Sequence, residues 1–211
     1  MTRSPSDAAA RIAGLYDRTA PAWDMVRGAE PTLERAWLDR FAALLPPGGA
    51  VLDLGCGTGD PVARALLGRG FRVTGVDAAP NLVALARARF SADHFPGAEW
   101  LVGDMRTLAL GRRFDGVLAW HSLFHLTPAE QRAALAVFGA HAAPGAVLMF
   151  TSGTSAGEVL GAWEGEPLYH ASLAPAEYEA LLAAHGFGVL AHALRDPACG
   201  DATVWLARRR A

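Results

Sequence analysis

The stretch VLDLGCGTGD, residues 51–60, constrains the fold of this chain more than any other part of its sequence. Three glycines, Gly55, Gly57 and Gly59, directly follow an apolar run that is typical of a buried strand. Glycine is needed where a tight turn brings the backbone close to a ligand. The spacing G-x-G-x-G, followed by Asp60, does not meet the G-x-G-x-x-G pattern of dinucleotide-binding proteins. The stretch therefore predicts a strand, a ligand-binding turn and then a helix.

Short apolar runs and helical stretches alternate along the rest of the chain. The predicted strands cover residues 50–55, 72–77, 99–104, 114–120 and 145–152, and two final strands, 188–194 and 203–209, could pair antiparallel. The predicted helix starts are Asp60 with Pro61, Pro80, the capping box of Thr127 with Glu130, and Pro175. Apolar strands that alternate with helices indicate an α/β fold, a parallel sheet covered on both faces. Such sheets bind ligands at the carboxyl ends of their strands.

One domain of 211 residues is expected, because 52% of the chain is apolar and no linker or repeat interrupts it. Residues 1–45 are predicted as two helices that form a lid, and 46–152 as a cofactor-binding core. Residues 153–174 are expected to form an irregular cover over the substrate, and 175–211 a terminal helix and two strands.

Charge and cysteine content exclude several classes of protein. The net charge is about −2 with no basic stripe, so no nucleic-acid partner is expected, and the closing ARRR is interpreted as a solvated end. All 19 basic residues other than histidine are arginine, which excludes lysine Schiff bases and phosphate loops of the G-K-[ST] type. The two cysteines are far apart, and neither a signal-peptide core nor a membrane segment is evident. A reduced, soluble, cytoplasmic protein with no membrane contact is predicted.

Three aspartates mark the ends of the first three predicted strands. Asp53 precedes the glycines by two residues, and a carboxylate there repels a pyrophosphate but attracts a cationic ligand. Asp77 can accept both hydroxyls of a ribose. Asp104 can accept from the exocyclic amine of a base, and Met105 can pack on its ring. The three strand ends describe an adenosine with a positively charged extension that lacks phosphate, which argues against a nicotinamide oxidoreductase.

At these residues the chain resembles the class I S-adenosylmethionine-dependent methyltransferases. The resemblance rests on VLDLGCGTGD, VTGVDAAP, VGDM and FDGVLAWHSLFHL, and covers about residues 50–152. It implies S-adenosylmethionine as cofactor and S-adenosylhomocysteine as product. It also implies a Rossmann-like sheet of seven strands in the order 3-2-1-4-5-7-6, with strand 7 antiparallel, helices on both faces and an N-terminal helical lid.

The resemblance assigns cofactor-binding roles to residues around the strand ends. Asp53 and the loop face the methionine end, Asp77 binds the ribose, and Ala78, Asp104 and Met105 surround the adenine. YDRTAPAWD resembles the lid of the small-molecule branch, in which a tyrosine, here Tyr16, closes over the cofactor. The complete set of predicted cofactor-binding residues is Tyr16, Asp53, Gly55, Cys56, Gly57, Thr58, Gly59, Asp77, Ala78, Asp104, Met105, Trp120 and His121.

Methyl transfer from a sulfonium requires alignment above all, so the family has no universal catalytic residue. His121 and His125, in WHSLFHL, are the catalytic candidates, His125 as an orienting group or base facing the acceptor. For either histidine the alternative is a hydrogen bond to a loop carbonyl. Ser122 stands where a zinc peptidase has its glutamate, and no third ligand is evident, so no metal is expected. The predicted substrate-contacting residues are Trp23, Phe124, Trp163, Tyr169 and His170.

The sequence predicts methyl transfer to a small-molecule acceptor whose nucleophilic atom is open, by a monomer or homodimer. A DNA or RNA methyltransferase is disfavoured by the weak basic charge and by WHSL, which stands where amino-purine enzymes have an [DNS]-P-P-[YFW] motif. A protein methyltransferase, a catalytically silent cofactor-binding module and a cofactor-modifying enzyme remain as alternatives.

Overall fold

The computed structural model describes residues 5–28 and 33–211. Residues 1–4 and 29–32, which belong to the predicted lid, lie outside the described residues. The helices are α1 Pro5–Ala9, α2 Ile12–Arg18, α3 Ala20–Arg27, α4 Arg35–Ala43, α5 Val62–Gly68, α6 Pro80–Arg89, α7 Pro128–His141 and α8 Pro175–Ala184. The strands are β1 Ala50–Leu54, β2 Arg72–Asp77, β3 Ala98–Val102, β4 Phe114–Ala119, β5 Ala142–Ser152, β6 Gly157–Trp163, β7 Glu166–Ser172, β8 Phe187–Asp196 and β9 Ala202–Arg209.

Seven strands form one sheet in the order β3-β2-β1-β4-β5-β9-β8. The first five strands run parallel, and β9 is antiparallel to both β5 and β8. This is the predicted order 3-2-1-4-5-7-6. The strands β6 and β7 lie outside the sheet, so the predicted strands 6 and 7 are numbered β8 and β9 here. The predicted Rossmann-like fold is confirmed.

Helices cover the sheet on both faces, as the apolar strands require. Phe41 of α4, Leu66 of α5 and Phe90, directly after α6, pack in one buried cluster. Phe138 of α7 and Tyr178 of α8 pack in the other. A central strand thus has no solvated face, which explains why its sequence is apolar throughout.

The cover segment differs from its prediction. Residues 153–174 were expected to be irregular, but β6 and β7 pair antiparallel from Gly157 with Ser172 to Trp163 with Glu166. The intervening Glu164 and Gly165 both have positive φ, 50° and 76°. A two-residue turn of this kind matches the twist of an antiparallel pair and favours glycine at its second position.

Two helix predictions were also wrong. The described residues of the N-terminal segment, 5–28 and 33–45, hold four helices in place of the two expected. Asp60 does not cap α5, which begins at Val62; its carboxylate instead pairs with Arg64 at 2.5 Å and Arg89 at 2.9 Å. The capping box of Thr127 and Glu130 is confirmed at the start of α7. Within the described residues, none of the helices is long and apolar enough to cross a membrane.

Candidate functional site

The glycine loop after β1 lies at the carboxyl ends of the parallel strands. Gly55, Gly57 and Gly59 have φ of 72°, 56° and 82°, the left-handed region that disfavours other residues. A Cβ on Gly55 would lie 2.3 Å from Cβ of Ser122, and one on Gly57 would lie 3.3 Å from Nε1 of Trp23. The loop therefore needs glycine for its conformation and for the close approach of its neighbours.

Asp77 fastens the glycine loop to the end of β2. Its Oδ2 accepts a hydrogen bond from the Gly57 amide at 2.9 Å, and its Oδ1 accepts from the Ala79 amide at 2.9 Å. Burial raises the pKa of this carboxyl, while the two amide donors oppose the shift. Each carboxylate oxygen keeps lone pairs for a further donor, which suits it to a pair of ribose hydroxyls.

Asp53 is a buried carboxylate that faces the loop, and only 2% of it is exposed. Among the residues that the structure describes, none donates a hydrogen bond to it. Burial, and then the charge of Asp77, raises its pKa to about 7, and the Arg27 guanidinium opposes this shift. Asp53 lines a cavity of about 40 Å³, here called the loop cavity, together with Trp23, Arg27 and His121. A buried carboxylate without a donor is suited to a cationic ligand group.

A second cavity of about 120 Å³, here called the strand-end cavity, lies beyond β2 and β3. Asp77, Ala78, Asp104 and Met105 line it, under Tyr16 from the lid. Arg106 holds the Asp104 carboxylate through its Nε at 2.9 Å and lowers the pKa of that carboxyl. The predicted ribose and adenine residues therefore share one cavity.

Cys56, Thr58 and Trp120, three residues of the predicted cofactor-binding set, are buried. Cys56 belongs to the same buried cluster as Trp100 and also lines the loop cavity, and burial raises the pKa of its thiol. The Thr58 side chain is buried. Trp120 is buried in the same core and lines the loop cavity. The Trp120 indole Nε1 has no hydrogen-bond partner among the described residues.

His121 lies two residues after the end of β4, at a strained backbone position with φ of 51°. Its amide donates to Thr151 Oγ1 at 2.9 Å, which fixes the turn, and its side chain lines the loop cavity. Burial lowers the pKa of its imidazole to about 4. The ring is therefore a neutral wall of the cavity near pH 7.

His125 uses both of its ring nitrogens. Its Nδ1 lies 2.9 Å from the Tyr169 carbonyl oxygen and must donate to it, so Nε2 accepts from the Tyr16 hydroxyl at 3.0 Å. Burial lowers its pKa to about 3. His125 therefore makes the hydrogen bond to a carbonyl that was the alternative to a role as a base. Neither of its ring nitrogens is free to act as a base. His125 lines the strand-end cavity, on the side of Tyr16.

The predicted substrate residues come together, with one exception. The ring centroids of Trp23 and Trp163 lie 5.6 Å apart, and those of Phe124 and His170 lie 5.2 Å apart. Tyr169 is the exception, because its side chain is fully buried on the opposite face of the hairpin, and its hydroxyl donates to Glu158 at 2.9 Å. Only its backbone carbonyl reaches the site.

A third and larger cavity of about 460 Å³, here called the hairpin cavity, opens between the end of β5 and the hairpin β6–β7. Phe124 and His170 line it, and their rings contact His125 at centroid distances of 4.8 and 4.9 Å. These three rings therefore stand between the strand-end cavity and the hairpin cavity.

The comparisons with known proteins agree with this geometry. Residues 51–145 match a family model described as a methyltransferase domain. The chain is 35% identical over 127 residues to a 2-phytyl-1,4-naphtoquinone methyltransferase of Thermosynechococcus vestitus, covering 57% of this chain and 55% of the relative. It is 35% identical over 150 residues to a dTDP-3-amino-3,6-dideoxy-alpha-D-glucopyranose N,N-dimethyltransferase of Streptomyces fradiae, covering 68% and 54%.

Among solved structures, an amino pentose methyltransferase of Micromonospora echinaspora with bound S-adenosylmethionine is 28% identical, with a TM-score of 0.67. The match covers 90% of this chain and 95% of that one. The chain carries a class I methyltransferase domain. The predicted family and its cofactor, S-adenosylmethionine, are thereby confirmed. The chain spans about half the length of these two curated relatives.

The residues of this methyltransferase domain fit the cofactor. Asp53 is a buried carboxyl to which none of the described residues donates, and the glycines form a cradle that a single Cβ would fill. The acidic residue at the end of β2 stands between two backbone amides, ready for hydroxyl donors.

Two residues of the methyltransferase site were missed by the sequence interpretation. Arg27, near the end of α3, lines the loop cavity beside Asp53. Gln131 is fully buried, and its amide nitrogen donates to the carbonyls of Leu126 and Ala171, both at 2.9 Å. Gln131 thereby ties the segment that carries His125 to the strand that carries His170. A buried glutamine on a helix gives no pattern in the sequence, whereas Arg27 stands four residues after Trp23, on the same helix face.

Proposed function

We propose that this protein transfers a methyl group from S-adenosylmethionine to a small-molecule acceptor. The observation that carries the proposal is the meeting of Asp53, Asp77 and Asp104 at one edge of the sheet, around the glycine loop. The names of the relatives support it, since one acts on a naphthoquinone and another on an amino sugar nucleotide.

The three carboxylates divide the cofactor between them in this proposal. Asp77 accepts from the ribose hydroxyls, and Asp104 with Met105 contacts the adenine. Asp53 pairs with the ammonium of the methionine end, and Arg27 with its carboxylate. When bound, the cofactor supplies a methyl group on a sulfonium sulfur that leaves as a thioether.

The cover formed by the lid and the hairpin excludes water and positions the acceptor. Trp23, Tyr16 and His125 form a continuous set of rings over the strand ends, with centroid distances of 5.1 and 5.3 Å. Neutral aromatic faces next to a sulfonium stabilise its positive charge without competing for the methyl group. The chain then needs to align nucleophile, carbon and sulfur, and no proton has to pass through His125.

Calorimetric titration with S-adenosylhomocysteine tests this function. We expect micromolar binding to the wild type and a loss of about hundredfold in Asp77→Ala, because a buried acceptor of two hydroxyl hydrogen bonds disappears. Asp93→Ala removes an exposed aspartate that lines none of the three cavities, and it serves as the matched control. Binding of NAD in place of the adenosyl ligand, or equal affinity in both variants, would contradict the proposal.

Several finer statements remain predictions from the sequence. They are a monomer or homodimer without a nucleic-acid partner, a cytoplasmic location, and the boundaries 1–45, 46–152, 153–174 and 175–211 of the functional segments. The hairpin β6–β7 lies within the third of these segments, 153–174, and supports its description as a cover.

A further inference from the structure

The Asp104 carboxylate, two residues after the end of β3, is held by the side chain and the backbone of Arg106. The Arg106 amide donates to Oδ1 at 2.9 Å, and Nε of Arg106 lies 2.9 Å from both Oδ1 and Oδ2. Nη2 donates to Oδ2 as well. A guanidinium that grips a carboxylate with a fork of donors fixes both its position and its plane. The Asp104 carboxylate therefore has a defined orientation before any ligand binds.

Glu130 holds the Arg106 guanidinium from the other side. Its Oε1 accepts a hydrogen bond from Nη1 of Arg106. Its Oε2 accepts from the backbone amide and from the hydroxyl of Thr127, both at 2.9 Å, in the capping box of α7. Arg106 thus joins the first turn of α7 to Asp104, and both Arg106 and Asp104 line the strand-end cavity.

Arg106 leaves Asp104 room for one further donor. A carboxylate offers about four lone-pair positions, and the amide, Nε and Nη2 of Arg106 supply three donors. Hydrogen bonds from Arg106 also lower the pKa of the Asp104 carboxyl, so near pH 7 this group is ionised and can only accept. Because Asp104 lines the strand-end cavity, the remaining position suits a ligand that presents a single N–H there.

The ion pair contributes more to ligand recognition than to folding. The side chains of Arg106 and Asp104 are 40% and 33% exposed, and pairs of this exposure add little to the free energy of unfolding. An acceptor that is ordered before the ligand arrives raises affinity, because its side chain loses no further conformational freedom on binding.

We propose that Arg106, held by Glu130, is a positioning residue through which this protein distinguishes adenine from a purine without an exocyclic amine. This inference rests on the proposed function, in which Asp104 contacts the adenine. Arg106 acts through Asp104: it directs the remaining lone pair of the carboxylate to one N–H of the exocyclic amine. A base without that amine leaves the lone pair without a donor, which lowers affinity.

Calorimetric titration with two ligands tests the inference. They are S-adenosylhomocysteine and its analogue with hydrogen in place of the exocyclic amine. We expect the wild type to bind S-adenosylhomocysteine about tenfold more tightly than the analogue, since the missing hydrogen bond is to a charged group. Arg106→Gln should abolish most of this preference by weakening S-adenosylhomocysteine alone. Arg112→Gln is the matched control, because Arg112 pairs with Glu99 and lines none of the three cavities.

Two further variants separate geometry from charge and leave the fold intact. Arg106→Lys keeps the positive charge beside Asp104 but loses the planar fork. Glu130→Gln keeps a residue that can complete the capping box of α7, but removes the charge that holds Arg106. Both variants should show a preference for S-adenosylhomocysteine that lies between those of the wild type and Arg106→Gln.

An equal loss of affinity for both ligands in Arg106→Gln would give Arg106 a purely structural role and overturn the inference. A wild-type protein without preference between the ligands would overturn it too. So would a full wild-type preference in Arg106→Gln, Arg106→Lys or Glu130→Gln. Each of these results leaves S-adenosylhomocysteine binding by the wild type in place, whereas absence of that binding overturns the proposed function itself.

Discussion

The strand-end edge of the sheet and the cover above it are built from different interactions. At the edge, backbone amides and carboxylates meet, as where Asp77 holds Gly57 and Ala79. In the cover, rings and side-chain hydrogen bonds join separate elements, as where Trp163 donates to Thr19 Oγ1 at 2.8 Å. The register of parallel strands fixes the first set, while the second depends on the docking of the lid helices α1 to α3 on the hairpin.

This difference separates two properties of the protein. The edge supplies the groups that recognise the cofactor, so changes there should alter affinity. Trp23 lies against the glycine loop, so the lid must move before a cofactor can reach it. Changes in the cover should therefore alter the rates of cofactor exchange and the fit of the acceptor more than cofactor recognition.

The largest effect is expected at Gly55. Gly55→Ala places a Cβ 2.3 Å from Cβ of Ser122 at a φ of 72°, so the loop must move away from the strand ends. We expect loss of S-adenosylhomocysteine affinity by about hundredfold or more, since overpacking costs about 1–3 kcal/mol and the cradle is displaced as well. Calorimetry measures it. Gly111→Ala is the control, because Gly111 has φ of 67° but no atom within 4 Å of its added Cβ. Equal effects in both variants would mean that backbone strain alone explains the loss.

The next effect concerns the charge of Asp53. Its pKa is raised to about 7, so the carboxylate that pairs with the cofactor ammonium is lost as the pH falls below that value. We expect S-adenosylhomocysteine affinity to fall by up to about tenfold per pH unit below 7. Asp53→Asn should bind about as weakly as the protonated wild type and show a flat profile. A wild-type profile as flat as that of the variant would refute the assignment.

The same shift has an opposite effect on the stability of the ligand-free protein. The folded pKa lies above the unfolded value of about 3.9, so the folded state binds a proton more tightly, and the ionised carboxylate destabilises it. The protonated Asp53 carboxyl therefore contributes to the free energy of unfolding below about pH 4, and this contribution is lost as the pH rises through 7. Asp53→Asn should therefore have a higher Tm than wild type at pH 8, and this advantage should shrink as the pH falls from 7 toward 4. A lower Tm for the variant at pH 8 would contradict the burial argument.

The smallest effect is expected in the cover. Tyr16→Phe removes the hydroxyl that donates to His125 Nε2 and leaves the ring contacts in place. Losing one hydrogen bond of about 1 kcal/mol should raise the dissociation rate of S-adenosylhomocysteine about fivefold. Stopped-flow fluorescence of the lid tryptophans measures it. Tyr169→Phe removes a hydroxyl on the other face of the hairpin and is the control. An unchanged rate in Tyr16→Phe would show that this hydrogen bond does not hold the lid closed.

The grouping of the cofactor-binding residues at the edge of the sheet could be predicted from the sequence. The contacts within the cover could not. Asp53, Gly55, Asp77 and Asp104 lie within a few residues of a strand end, so the strand order alone brings them together. The hairpin carried a local signal as well, since Glu164 and Gly165 separate two β-rich runs, and this signal was overlooked.

The roles of the cover residues depend on contacts between distant segments. His125 meets Tyr16 across 109 positions of the chain and Tyr169 across 44, and no local pattern encodes either pairing. The alternation of side chains along β7 places Tyr169 and His170 on opposite faces, but which face meets the site depends on how the hairpin docks. The sequence therefore identified the right segment, with one residue of it facing the other way.

Transfer of label from methyl-tritiated S-adenosylmethionine to a metabolite extract tests the central claim most directly. The account predicts protein-dependent label in a small molecule, absent when Asp77→Ala replaces the wild type. Label in protein or nucleic acid, or no transfer by an enzyme that binds S-adenosylhomocysteine normally, would contradict it.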